Sequence, residues 1–141
     1  MAVGGLEYLR RNDLYSPSTG MWSNLRLKLV SADPSATVVE GDVEAAAHGS
    51  GGQPTIHRGA VVTIADCALA CAAATFVEEG QGAATVDLRV EFVRPAHPGA
   101  IVATARVRHR LNDLVFCEAT VDQGGVSVAH ANGTIAIVAA T

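Results

Sequence analysis

The chain has 141 residues, 49% hydrophobic and 17% charged, with a formal net charge of -4. That is the size of one ordinary domain with a sizeable core, read here as a single unit over residues 1–141, and its acidity excludes nucleic acid as an expected partner. Cys67, Cys71 and Cys117 have no C-x-x-C spacing and no nearby His cluster, which excludes a disulfide framework or zinc site; no metal or cofactor is expected.

The first stretch, MAVGGLEYLRRNDLYSPSTG, places its arginines after the apolar residues and holds no apolar run of signal-peptide length, so a cytoplasmic protein is expected. Within residues 1–20, LEYLRRNDL at 6–14 has apolar positions at helical spacing and predicts a short helix, ended by the Ser-Pro-Ser-Thr-Gly loop. The period then changes. Leu25, Leu27 and Leu29 alternate with Arg26 and Lys28 as in a half-buried strand, ADPS predicts a turn, and ATVVEGDV a second strand of the hairpin. HGSGGQPT at 48–55 is a loop by composition.

Residues 57–78 are Ala-rich, contain neither Gly nor Pro between Gly59 and Gly80, and predict one long helix. The central Asp66 and the amphipathic strands on both sides argue against a membrane span, so the helix is expected to be wrapped by a sheet. After EEGQG alternation returns. Val86, Leu88, Val90 and Phe92 fall on one face, with Thr85, Asp87, Arg89 and Glu91 on the other, up to Arg94-Pro95. GAIVATARVRHRL, LVFCEATVD and GVSVAHANGTIAIVA predict three further strands, giving an antiparallel meander of three or four.

Asp66 is the one charge between Gly59 and Val77. A carboxylate removed from water costs several kcal/mol unless paired or hydrogen-bonded, and no basic residue lies within two helical turns on its own helix. Its partner must come from another element. A carboxylate so placed suits a group that takes a proton from water and returns it.

The order helix, two strands, long buried helix, then strands resembles the hot-dog fold, an α+β architecture in which a curved antiparallel sheet of five to six strands wraps a long central helix. HRGAVVTIADCALACA is similar to the His-Gly-Gly and Leu-x-Asp signature of small acyl-CoA thioesterases of the PaaI type, related to 4-hydroxybenzoyl-CoA thioesterase, with Asp66 nine residues after His57. ATVDLRVEFVRPAHPGAIV resembles that family's third strand and Pro-ended turn, and VAHANGTI its last strand, so the likeness runs over roughly residues 25–140. It implies hydrolysis of an acyl-CoA thioester to a free acid and coenzyme A. Asp66 would be general base or nucleophile, the Arg58 backbone N–H would polarise the thioester carbonyl, and Thr85 would hold the water. The chain departs from the family at two places. Arg58 stands where the first Gly of His-Gly-Gly would be, ahead of the retained Gly59, and Gly51 stands in place of an Asn or Gln six residues before His57, with Gln53 out of register nearby.

Free N–H groups near His57 to Gly59, at the positive end of the helix, suit the oxyanion formed when a thioester is attacked. Eight residues separate Arg58 from Asp66, about 12 Å of helix rise, whereas the carboxylate must lie within about 3 Å of the attacking water. Helix geometry and family habit therefore both predict a homodimer with shared active sites, with pairing of dimers into a tetramer left open. His57 is grouped with the catalytic residues, as orienting the loop or hydrogen-bonding the helix entry, and Arg94, with Arg106, Arg108 and Arg110, are candidates for the coenzyme A phosphates. The main alternative is a non-catalytic acyl-CoA or acyl-carrier-binding protein, favoured by the two departures. A dehydratase would need a His–acid pair that the chain does not offer.

Overall fold

The computed structural model describes residues 3–140. Helices α1 (Val3–Arg11) and α2 (Gly20–Asn24) precede strands β1 (Lys28–Ser31) and β2 (Thr37–Val43). A short α3 (Ala45–His48) leads to the long α4 (Arg58–Ala74), followed by β3 (Gln81–Phe92), β4 (Gly99–Leu111), β5 (Leu114–Gln123) and β6 (Val126–Ala139). The six strands form one antiparallel sheet in the order β1-β2-β4-β5-β6-β3. The expected meander is thus three strands, β4 to β6. β3 does not extend it beside β4 but pairs with β6 at the far edge, because the chain crosses the sheet after Phe92.

α4 lies against the sheet. Val61, Ile64, Ala65, Ala68, Leu69 and Ala72 are buried against inward-facing Val39, Ile101, Ala103, Val115, Val121 and Ile135. Alanines on the helix let the strands approach closely, and each fully buried Leu, Ile or Val contributes roughly 1.5–3 kcal/mol. The helix ends four residues earlier than composition suggests. The N–H groups of Thr75, Phe76 and Val77 reach back to the carbonyls of Ala72, Ala73 and Ala74, and the Thr75 hydroxyl also donates to Ala72 O, so the last turn tightens. Leu25, Leu27 and Leu29 are all buried as their alternation implies, yet the strand begins only at Lys28. Arg26 adopts a left-handed φ of 52° directly after α2, which keeps Leu25 and Leu27 inward without strand pairing.

The expected face of Thr85 is also corrected. The register of β3 on β6 shifts between Thr85 and Asp87, so Val86 is an extra residue, 59% exposed. Thr85 pairs with buried Ile135, and Leu88 pairs with buried Gly133, which puts Thr85 on the helix side with Leu88 rather than opposite it. 

α1 packs on the far end of α4 by backbone contact. A Cβ at Gly4 would lie 2.7 Å from the Glu78 backbone, and one at Gly5 2.7 Å from Ala74 O; Leu9 is fully buried beneath. Gly5→Leu is therefore expected to release α1, with loss of the Leu9 contribution of about 1.5–3 kcal/mol. Trypsin cleavage after exposed Arg10 or Arg11 should then run at least about tenfold faster than in the parent protein, since undocking becomes cheaper. Equal cleavage rates would mean that the close approach does not hold the helix.

Candidate active site

Asp66 is half-buried on α4 beside the β3 edge of the sheet. Its missing partner comes from β3: the Thr85 hydroxyl donates to Asp66 Oδ1 at 2.7 Å. The bulge at Val86 makes that contact, because without it Thr85 would face solvent. Both residues line a cleft of about 480 Å³, whose other walls include Tyr8, Trp22, Cys67 and Ala70.

The start of α4 is built differently. His57 is the N-cap, and its Nδ1 accepts the Gly59 N–H at 2.8 Å, which requires a neutral ring with its proton on Nε2. Gly59 permits this, since a Cβ there would lie 2.9 Å from His57 Nδ1. The Ala60 N–H bonds His57 O. Of the free N–H groups expected over His57 to Gly59, Gly59 is therefore consumed, and His57 N–H is bound to His48 O at 2.8 Å. Among the described residues, the Arg58 N–H has no acceptor.

The Arg58 side chain is exposed, with its guanidinium over the Phe92 ring, 5.5 Å from the centroid. Arg58 and Arg94 line one cleft of about 290 Å³ with Ser50, Thr55 and Phe92, and Arg94 Nη1 donates to Ser127 O at 2.8 Å. The other arginines singled out are engaged elsewhere. Arg106 and Arg108 both pair with Glu118, and Arg110 lies over the Phe76 ring at 5.0 Å, turned there by a register shift between Val107 and His109. Gly51 and Gln53 are exposed in the loop and line neither cleft; Gly51 takes a left-handed φ of 59° that a turn requires.

Thus the structure brings together Asp66 with Thr85, His57 with Gly59, and Arg58 with Arg94, and leaves Gly51 and Gln53 apart. Asp66 and Arg58 sit on one helix, eight residues and about 12 Å of rise apart. The thiols offer no rival nucleophile: burial pushes Cys67 up to about 12, with a smaller push from Asp66, and burial pushes Cys117 up to about 12 and raises Cys71 as well. Among the described residues, no three His, Cys, Asp or Glu side chains converge as a metal-binding set, and no helix is long and apolar enough to cross a membrane.

Sequence reasoning passed over His48. It is buried, accepts the Glu44 N–H on Nδ1 at 3.0 Å, and meets Asn24 through Nε2, while its carbonyl holds His57. It ties α2 and α3 to the start of α4. Its only sequence signal was a His in a short polar-flanked Ala run, which carries no helix-entry meaning by itself.

Thr85→Val tests the hydroxyl in isolation. Shape and β propensity are kept, so fold and melting temperature should hold, whereas kcat should fall about tenfold as Asp66 loses its orienting bond, with Thr85→Ser recovering most of it. A kcat equal to the parent's in Thr85→Val would remove the hydroxyl from any functional role.

Comparison with known proteins gives the family and the fold. Residues 53–132 match the family model described as the thioesterase superfamily. Among solved structures, the PaaI protein from the phenylacetic acid degradation operon of E. coli superposes with a TM-score of 0.81 at 23% identity, over 98% of this chain and 96% of that one. A phenylacetic acid degradation-related protein from Ralstonia eutropha JMP134 gives 0.81 at 20% identity, over 92% and 98%. A thioesterase from Haemophilus influenzae gives 0.78 at 17% identity, over 94% and 90%. No curated protein matches the chain by sequence. The superpositions carry the fold, and the family match carries the broad activity, thioester hydrolysis. With more than half its residues matched, the chain belongs to the thioesterase superfamily, in the hot-dog fold that it shares with the PaaI protein.

Proposed function

We propose that the protein hydrolyses an acyl-CoA thioester to a free acid and coenzyme A. The observation that carries this is Asp66, a half-buried carboxylate held by Thr85 in a cleft, on a helix whose first N–H is unpaired. Asp66 takes a proton from water as the water attacks the thioester carbon, or attacks that carbon itself to form an acyl-aspartyl anhydride that water then hydrolyses to the free acid; the Arg58 N–H binds the oxyanion, and collapse expels the coenzyme A thiolate, which takes up the proton that the water gives up. Thr85 orients Asp66. His57 and Gly59 hold the helix start, at which the Arg58 N–H is left unpaired.

The separation along α4 supports a homodimer in which Asp66 of one protomer works with Arg58 of its partner. The Arg58 and Arg94 side chains, in one cleft at the helix start, suit the anionic end of coenzyme A. A second reading, binding without turnover, is favoured by one observation: neither Gly51 nor Gln53 supplies a side-chain amide to either cleft. Steady-state release of free thiol from a panel of acyl-CoAs decides between the two. Turnover well above the rate in buffer supports hydrolysis; saturable calorimetric binding with no turnover of any thioester supports the second reading.

A further inference from the structure

The cleft beside Asp66 has a wall that neither the helix nor the sheet provides. Tyr8 of α1, Asn12 in the turn just after it and Trp22 of α2 face α4 across a space of about 480 Å³, within the roughly 300–1,000 Å³ usual for small-molecule pockets. On the α4 side the lining positions Cys67, Ala70 and Cys71 lie on the Asp66 side of the helix, and their small side chains leave depth along it. α1 is fixed in place by the Gly4 and Gly5 approach, so this wall is a packed element.

The chemistry of the lining is uniform. Apart from Asp66 it holds no Lys, Arg, Asp or Glu. The nearby Arg11 has its guanidinium over the Tyr8 ring, 5.9 Å from the centroid, and is not part of the lining. Asn12 is committed through Nδ2 to Tyr8 O at 2.8 Å, which leaves it uncharged and fixed. A carboxylate entering this space would stand beside Asp66 with no cation among this protomer's lining side chains to pair with, and the guanidinium of Arg58, whose N–H a partner would bring, is engaged over Phe92, so its entry costs several kcal/mol. A two-carbon group would leave most of the volume unfilled.

We infer that this cleft is the acyl subsite, and that Tyr8, Trp22 and Ala70 select uncharged acyl groups well longer than acetyl over acyl groups that end in a carboxylate. The inference rests on the assignment of Asp66 to the reaction. It gives the N-terminal segment, which adds no strand to the sheet, a role in specificity.

The test compares kcat/KM for acetyl-, hexanoyl-, decanoyl- and adipoyl-CoA, by thiol release, in the parent protein, Ala70→Leu, Trp22→Ala and Asp66→Asn, with melting curves to show that each variant is folded. Hexanoyl and adipoyl share a chain length and differ in the terminal carboxylate. The parent should prefer hexanoyl over adipoyl by about 10²-fold and over acetyl by at least about tenfold. Ala70→Leu should cut the hexanoyl-to-acetyl ratio at least about fivefold, and Trp22→Ala should raise the decanoyl-to-hexanoyl ratio by a similar factor. Equal rates on hexanoyl and adipoyl, or ratios unmoved by both substitutions while Asp66→Asn is inactive, overturn the subsite and leave the thioesterase reading intact. Full turnover by Asp66→Asn overturns the reading beneath, and the subsite with it.

Discussion

Asp66→Asn is expected to lower kcat/KM for acyl-CoA hydrolysis by about 10²–10⁴-fold, the range that a positioned proton-transfer group supplies. The substitution isolates one property. Asn keeps the volume of Asp and an oxygen that can accept the Thr85 hydroxyl bonded at 2.7 Å, so the geometry of helix, bulge and cleft survives. What is lost is the basicity and charge that activate water or attack the carbonyl. Half-burial and a hydroxyl partner mean that removing the charge leaves no orphaned cation, so the melting temperature should not fall. Activity within about tenfold of the parent would remove Asp66 from the chemistry.

The second large effect concerns the other end of the same helix. Arg58 is the first residue of α4, where Pro is well tolerated, and His57 before it has φ -59° and ψ 135°, an extended geometry that suits a residue preceding Pro. Arg58→Pro thus deletes the one unpaired N–H without breaking the helix. It should cost about 10²–10³-fold in kcat, as loss of an oxyanion donor does, while Arg58→Ala, which keeps the N–H and removes the guanidinium, should act mainly on KM. The two inactive proteins then test the shared site. In a mixed dimer of Asp66→Asn with Arg58→Pro, one site carries both lesions and the other carries neither. Random exchange of protomers should therefore restore about a quarter of parent activity from two preparations that each show almost none. No recovery after verified exchange would place both groups within one chain, against the 12 Å or so that separates them on α4.

Much of this is legible in the sequence. The Ala-rich run and the alternation in Val102–Val107 or Val115–Val121 reflect local rules, helix propensity and the period of a strand, which the chain states residue by residue. Asp66 announced itself as one charge in an apolar segment. Other features depend on tertiary contact and have no local signature. The bulge at Val86 is a register event between two strands, so the alternating pattern put Thr85 on the wrong face until its pairing with Ile135 was known. Tyr8 and Trp22, on short helices, and Asn12, in the turn after the first, meet Asp66 only through the packing of α1 on α4. His48 gains its meaning from Asn24 and His57, residues distant from it in sequence or reached through its backbone. The late start of β1 follows from one left-handed residue, Arg26, whose identity gave no warning.

The extra residue at Val86 has a bearing on how such a chain can change over time. It divides β3 into a stretch whose phase is set by the cleft, ending at Thr85, and a stretch whose phase is set by the core, from Asp87 through Leu88 and Val90. Substitutions on one side do not have to be answered on the other. A lineage could therefore lose or retune the chemistry at Asp66 by altering a few residues before the bulge while the packing after it stays untouched, and the scaffold would outlive its activity.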